Sequence, residues 1–197
     1  MDINMEDYIF IDVETTGANI HDGASYFDSH IPKIDLIEIG MVWREGKITK
    51  ELHSKVKPPD TYFDNTDKWW KVDGKPNIHW ESLRDAPEWT KLYSWFRGTI
   101  GHRKPVAHNA DFDAEVLNQT SFHYGLRFIP RSDWLCTRTD AKALMKNETD
   151  SYGLKNLAQY LELPSFNHHN ALDDAKTCML LFEAMIPMRQ RPDWIFV

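Results

Sequence analysis

The chain has 197 residues, of which 42% are hydrophobic and 27% are charged, and its formal net charge is −7. These values are typical of one globular domain over residues 1–197, and they argue against a protein that holds nucleic acid through a broad basic surface. Two cysteines exclude a disulfide framework. The sequence has no signal-peptide pattern and no membrane-length apolar run, so we expect a cytoplasmic protein without a membrane partner.

The first third of the chain contains three predicted strands. Within residues 8–13, both the odd and the even positions are apolar up to Asp12, which is typical of a strand buried on both faces. Residues 36–43 and 51–56 are predicted as two further strands. The turn at residues 45–47 joins them so tightly that they should pair antiparallel.

The remainder of the chain alternates between helices and short strands. Helices are predicted at residues 88–97, 111–124, 138–145, 154–161 and 173–189, and strands at residues 105–107 and 134–136. Three strands followed by this alternation predict an α/β fold, in which a mixed five-stranded sheet is flanked by helices.

Two carboxylates, Asp12 and Glu14, lie two residues apart at the end of the first strand, so both side chains should leave the same face. Adjacent carboxylates repel one another and resist desolvation. A cation that neutralises them, or a strand end where they point into water, would accommodate the pair. Thr15, Thr16 and Gly17 follow at once and supply hydroxyls, backbone N–H groups and a flexible turn.

A second polar cluster, residues 108–113, lies at a predicted strand-to-helix junction. Asp113 shares a helical stripe with Val116, Leu117 and Thr120. Asp111 lines up instead with Glu115 and Asn118, which predicts a polar face. Asp113 is therefore the candidate functional carboxylate, unless both aspartates only complement the helix dipole.

A third cluster surrounds the start of the last predicted helix. Asn170 is a candidate N-cap, which places His169 in the loop just before the helix. Asp174 shares its stripe with Cys178, Leu181 and Met185. Because an unpaired carboxylate on a core-facing stripe is costly, Asp174 should have a partner or a metal, whereas Asp173 lies on another face. His168 is predicted to be a solvated loop histidine.

Together, the three clusters resemble the three exonuclease motifs of the DEDDh group. The matching residues are Asp12, Glu14, Thr15, Thr16 and Gly17, then His108, Asn109, Ala110, Phe112 and Asp113, then His169, Ala171, Asp174 and Ala175. Residues 37–40 and 154–158 also resemble this group, which includes the proofreading epsilon subunit of bacterial replicative DNA polymerase, ribonuclease T and oligoribonuclease. The histidine five residues before Asp174 indicates the histidine branch.

The resemblance implies a single exonuclease domain with a ribonuclease H-like fold and a mechanism that uses two divalent cations, Mg²⁺ or Mn²⁺. Hydrolysis of a phosphodiester places negative charge on both the attacking and the leaving oxygen, which two cations can stabilise. The implied metal ligands are Asp12, Glu14, Asp113 and Asp174, with His169 as the general base. The implied substrate-binding residues are Thr15, Thr16, Gly17, His108 and Asn109.

The substrate and partners stay open at the level of sequence. We expect nucleic-acid 3′ ends, with DNA favoured over RNA, and a polymerase or another protein as a partner. The alternatives are an exoribonuclease on short RNA and a catalytically weak binding module on the same fold. A remote fourth hypothesis is a zinc site that would use Cys136, Cys178, His168 and His169.

Two further features could contact the substrate. The long aperiodic segment at residues 18–35 predicts either a lip over the site, with Tyr26 and Phe27 stacking on a base, or a packed structural loop. The second feature is a set of basic residues, which are either contacts to the nucleic-acid backbone or ordinary surface charge. They are residues 102–104, Arg131, Arg138 and Lys142.

Overall fold

A computed structural model describes residues 3–16, 35–58, 81–127 and 129–189. Gly17, Tyr26 and Phe27 lie outside the described residues, as does almost all of the predicted lip. Across the described ranges, no helix combines the length and the apolarity that crossing a membrane requires.

Five strands form one mixed sheet in the order β3-β2-β1-β4-β5. They are β1 (Tyr8–Thr15), β2 (Leu36–Glu45), β3 (Ile48–Lys55), β4 (Lys104–Ala107) and β5 (Leu135–Cys136). The β1–β2 and β2–β3 pairs are antiparallel, and the β1–β4 and β4–β5 pairs are parallel. The predicted mixed five-stranded sheet is therefore confirmed, including the antiparallel hairpin of β2 and β3.

Helices are found at every predicted position, with ends shifted by up to three residues. They are α2 (Trp89–Ile100), α3 (Ala110–His123), α4 (Thr137–Leu144), α5 (Leu154–Tyr160) and α6 (Ala171–Arg189). A single-turn helix, α1 (Glu81–Arg84), was not predicted, because four residues carry no measurable periodicity.

Strand β1 has a hydrophobic core on each of its faces. Ile9, Ile11 and Val13 belong to a cluster with residues of α2 and α3, whereas Phe10 packs with residues of α6. This alternation is the structural reason for the apolar run on both parities. Asp12 follows Phe10 by two residues, so its side chain lies on the same face of the sheet, the one that packs against α6.

One prediction about α3 is wrong. Glu115 and Asn118, expected on a polar face apart from the inward stripe, are buried. The Asn118 amide forms two hydrogen bonds of 3.0 Å with the backbone N–H and carbonyl of Ile129, and Glu115 pairs with Arg131. Residues that follow the helix in sequence fold back over it and satisfy its polar groups, which helical periodicity alone does not reveal.

Candidate active site

Asp12 and Glu14 lie inside β1, near its C-terminal end, rather than in a surface turn. Their cross-strand partners on β2 are Gly40 and Glu38, respectively. Strand β1 continues to Thr15, and two carboxylates two residues apart in a strand share one face. Both side chains therefore face the beginning of α6.

Asp113 belongs to the first turn of α3, and its side chain is buried. Its Oδ1 accepts a hydrogen bond of 3.2 Å from the backbone N–H of Val13, which fixes it against the end of β1. Asp111, two residues earlier, is exposed. The prediction that Asp113 rather than Asp111 faces inward is thus confirmed.

Asp174 is buried at the beginning of α6 and is held by backbone and side-chain groups. The backbone N–H of His169 donates to Asp174 Oδ2 at 2.9 Å. Asn170 accepts a hydrogen bond of 3.1 Å from the N–H of Asp173 through its side chain, as predicted for an N-cap. These contacts bring the loop histidine and the helix carboxylate to the same point.

His168 lies in the loop, as predicted, but it is only partly exposed and contacts Asp174. Its Nδ1 lies 3.0 Å from Asp174 Oδ1, and its ring stacks on the ring of His169 at a centroid distance of 4.0 Å. His169 has a positive φ of 69°. A buried carboxylate needs hydrogen-bond partners, and the imidazole of His168 supplies one.

The carboxylates fit a divalent cation. Oxygens of Asp12, Glu14 and Asp174 all lie within 4.8 Å of one another. Hard oxygen ligands of this kind suit Mg²⁺ or Mn²⁺. Among the described residues, the groups close enough to hold a metal contain neither Cys136 nor Cys178, so the zinc hypothesis finds no support there.

Electrostatics also indicate that the site needs positive charge. Burial raises the pKa of Asp12 well above its ordinary value, and the charges of Asp113 and Asp174 raise it further. Burial, followed by the charge of Asp174, raises the pKa of Glu14 to about 8. Burial raises the pKa of Asp113 to about 8, against the opposing effect of its hydrogen bond from Val13. Neighbouring carboxylates with such raised pKa values are ionised together at neutral pH only when a cation compensates them.

The raised pKa values predict how stability depends on pH. Glu14 and Asp113 have pKa values of about 8 in the folded chain, against ordinary values of 4.5 and 3.8. The stability linked to their protonation is fully present below the ordinary values and is lost as the pH rises through about 8. We expect the melting temperature of metal-free protein to fall by roughly 5 °C or more between about pH 5 and pH 9.

Differential scanning fluorimetry in EDTA and in MnCl₂ measures this effect. Mn²⁺ should raise the melting temperature, and most strongly at high pH, where the carboxylates are ionised. Asp111→Asn, which removes an exposed carboxylate near the site, serves as the control and should behave like the wild type. A melting temperature that does not respond to Mn²⁺ at pH 9 would contradict the prediction.

The candidate substrate-binding residues differ in their surroundings. Thr15 is buried. Thr16 is bonded twice to Asp35: its N–H donates to the carbonyl of Asp35, and its Oγ1 accepts from the N–H of Asp35, both at 3.0 Å. Thr16 therefore fixes the two ends of the segment between β1 and β2 close together.

His108 is buried, and both of its ring nitrogens contact groups of the protein. Nε2 lies 2.9 Å from the carbonyl of Tyr152, and Nδ1 lies 3.0 Å from Thr137 Oγ1. Burial lowers the pKa of His108 to about 4, although the carbonyl partly opposes this. A neutral ring donates from Nε2 to the carbonyl and accepts from the threonine at Nδ1. This arrangement suits a residue that orients the site; Asn109, the N-cap of α3, is exposed instead.

The candidate basic residues fall into two groups. Arg103 donates to the carbonyl of Thr99 and stacks over the ring of Trp43, and Arg131 pairs with Glu115. Arg138 and Lys142 are exposed, as are His102 and Lys104. Of this set, Arg138 has a positive charge that acts on His108 and helps to lower its pKa.

A fifth carboxylate, Glu38, was not assigned to the site from the sequence. It is buried on β2 directly opposite Glu14, and its charge raises the pKa values of both Asp12 and Glu14. The available signal was one glutamate within the otherwise apolar run of residues 36–43.

Comparison with solved structures identifies the fold. The nuclease domain of 3′hExo, a DEDDh family member bound to rAMP, matches with a TM-score of 0.67 at 14% identity, over 95% of this chain and 94% of that one. Exonuclease I of E. coli in complex with a dT13 oligonucleotide matches with a TM-score of 0.65 at 15% identity, over 96% of this chain and 42% of that one. The predicted ribonuclease H-like fold is thus confirmed.

Sequence comparison identifies the family. A DNA polymerase III of the PolC type from Thermotoga petrophila is 28% identical over 188 residues. The match covers 93% of this chain but 12% of the polymerase, so the chain spans about an eighth of the relative's length. A family model described as exonuclease, of the ribonuclease T type, matches residues 9–182. The DEDDh resemblance is thereby confirmed, and the chain belongs to the exonuclease family.

Proposed function

We propose that this chain is a divalent-cation-dependent 3′→5′ exonuclease that releases nucleoside 5′-monophosphates from the 3′ ends of DNA. One observation carries the proposal: four carboxylates from three separate elements lie close together, three of them with oxygens within 4.8 Å of one another and Asp113 near enough for its charge to act on Asp12. They are Asp12 and Glu14 on β1, Asp113 on α3 and Asp174 on α6. Such a concentration of charge is unfavourable without cations.

The carboxylates would hold the cations, and the surrounding groups would orient the carboxylates. Two bound divalent cations, Mg²⁺ or Mn²⁺, would stabilise the negative charge on the attacking and leaving oxygens of the phosphodiester. Val13 N–H holds Asp113, and His169 N–H holds Asp174. Backbone donors therefore fix two of the four side chains before any ligand binds, which is the preorganisation that catalysis by charge requires.

His169 is the proposed general base. Its ring belongs to the group with His168 and Asp174 whose nitrogens and oxygen lie within 4.8 Å of one another. A neutral imidazole beside the carboxylates can accept the proton of an attacking water. The ring of His168 stacks on that of His169 and would restrict its orientation.

The polymerase relative supports DNA as the substrate and a replication polymerase as the partner. That relative is named as a DNA polymerase III, and this chain aligns with a small part of it. An exonuclease that acts beside a polymerase would meet frayed or mispaired 3′ ends. We therefore favour single-stranded DNA and mispaired primer ends over short RNA.

A cleavage assay with matched oligonucleotides tests the proposal. Fluorescent DNA and RNA of one sequence, and primer–template duplexes with a paired or a mispaired 3′ end, are incubated with Mg²⁺, Mn²⁺ or EDTA. Phosphorothioate linkages at the 3′ end should block degradation of DNA, whereas the same linkages at the 5′ end should not. The labelled oligonucleotides should shorten by one nucleotide at a time, and EDTA should abolish cleavage.

Asp12→Asn is the control for contaminating nucleases. It should lower turnover by roughly 10³-fold or more, because metal-ion catalysis contributes several kcal/mol to the stability of the transition state. Cleavage that survives in Asp12→Asn or in EDTA would overturn the proposal. Faster degradation of RNA than of DNA would change the proposed substrate from DNA to RNA but would leave the proposed reaction unchanged.

A further inference from the structure

The fifth carboxylate has partners that point away from a role as a metal ligand. Glu38 Oε1 lies 2.7 Å from His53 Nε2 and accepts a hydrogen bond of 3.2 Å from the backbone N–H of Ala171. Only 3% of Glu38 is exposed. A carboxylate buried to this extent is stable only with partners, and both donors here belong to the protein.

The Ala171 N–H belongs to the first residue of α6. Helix N-termini carry unsatisfied N–H groups and a partial positive charge, so a carboxylate is stabilising there. Glu38 comes from the sheet, 133 residues away in sequence, and therefore fastens the start of α6 to β2. His53 on β3 holds Glu38 in turn through its Nε2. The cross-strand partner of His53 on β2 is Gly40, two residues after Glu38.

Gly40 brings the same two elements into close contact. A Cβ atom at this position would lie 2.3 Å from the carbonyl carbon of Ala171 and 2.4 Å from the backbone nitrogen of Leu172. No side chain fits at such distances. The backbone of β2 therefore lies directly against the first residues of α6, at a place where only glycine allows that approach.

The start of α6 carries two proposed functional groups. Asp174 is three residues beyond Ala171, and its N–H donates to the carbonyl of Asn170 at 2.9 Å. His169 donates its own N–H to Asp174. A displacement of Ala171 would therefore move the base and the carboxylate together, relative to Asp12 on β1.

We propose that Glu38 is a positioning residue, which together with His53 and Gly40 holds the His169–Asp174 end of α6 in register with the β1 carboxylates. It acts through a hydrogen bond to the helix backbone and not as a fifth metal ligand. The inference rests on the proposed function only for its activity readout.

Three variants separate the hydrogen bond from the charge. Glu38→Gln removes the negative charge but keeps an acceptor oxygen for the N–H of Ala171, whereas Glu38→Ala removes both. His53→Phe keeps a ring but removes the second donor. The matched control is Glu183→Ala, which breaks the bonds between α6 and Arg44 of β2 at the far end of the interface.

Hydrogen exchange of the metal-free chain tests the docking independently of catalysis. Amides at residues 171–175 should exchange at least tenfold faster in Glu38→Ala, and two- to threefold faster in His53→Phe, by our order-of-magnitude estimate. Glu38→Gln and Glu183→Ala should leave these amides near wild type. Unchanged exchange in Glu38→Ala would overturn the proposal.

Steady-state cleavage at saturating Mg²⁺ tests the consequence. Glu38→Ala should lower kcat by roughly 10- to 100-fold, because small displacements of catalytic groups cost this much, while KM changes by less than about threefold. Glu38→Gln should restore kcat to near wild type. If Glu38→Gln were as impaired as Glu38→Ala and its Mn²⁺ affinity had fallen, Glu38 would be a ligand and the proposal would be wrong. A wild type that cleaves nothing, with the exchange pattern intact, would refute the proposed function and leave the docking role standing.

Discussion

Replacement of Asp113 or Asp174 by asparagine should lower turnover by roughly 10³-fold or more, whereas Asp111→Asn and Asp173→Asn should keep turnover within about threefold. All four residues lie in the first turn of a helix, so each change removes the same favourable charge from a helix N-terminus. The pairs differ in the direction of the side chain. Asp113 and Asp174 are buried beside the β1 carboxylates, and the other two are not.

Single-turnover cleavage at saturating Mg²⁺ measures the effect, and Mn²⁺ binding followed by electron paramagnetic resonance tests its cause. Both inward-facing variants should bind Mn²⁺ more weakly, and both neighbours should bind it as the wild type does. Circular dichroism checks that all four variants fold. Equal losses within either pair would show that the helix faces are not what separates the functional aspartate from its neighbour.

The second large effect concerns the base. His169→Ala should lower turnover by roughly 10²- to 10⁴-fold, the usual contribution of a positioned general base. A base acts only when neutral, so the wild-type rate should rise with pH on the acid side, and His169→Ala should lose that dependence. Mn²⁺ binding should survive the change, because His169 is not among the four proposed ligands.

His168→Ala is the matched comparison. Its ring contacts Asp174 and stacks on His169, so we expect a loss of about tenfold through poorer orientation of both groups. The acid-side pH dependence should remain in this variant, since the proposed base is still present. Near wild-type rates in His169→Ala, or a larger loss in His168→Ala, would reassign the base to the neighbouring histidine.

Helical periodicity separated neighbouring aspartates correctly but misjudged the rest of α3. The stripe that contains Val116 and Leu117 points Asp113 inward, as found. The same periodicity assigned Glu115 and Asn118 to a polar face apart from the inward stripe, yet Ile129 and Arg131 contact them and supply their partners. Periodicity describes one helix by itself and says nothing about a segment that returns over it from later in the chain.

His168 illustrates the same limit at the third motif. The spacing to Asp174 distinguishes His169 from His168 but does not say where either ring lies. In the structure the His169 backbone adopts a left-handed conformation, and the two rings stack beside the carboxylate. Side-chain packing in a loop depends on the groups around it, which no local pattern encodes.

The sequence by itself determined the order of elements, the strand that carries Asp12 and Glu14, and the inward faces of Asp113 and Asp174. These follow from the two-residue and 3.6-residue repeats, which are properties of neighbouring residues. The tertiary structure alone decided that Glu38 reaches across 133 residues to the first N–H of α6, and that the backbone of Gly40 lies against it. A buried carboxylate and a glycine within a strand can each have many explanations, because their energetic role depends on contacts made only when β2 and α6 pack together.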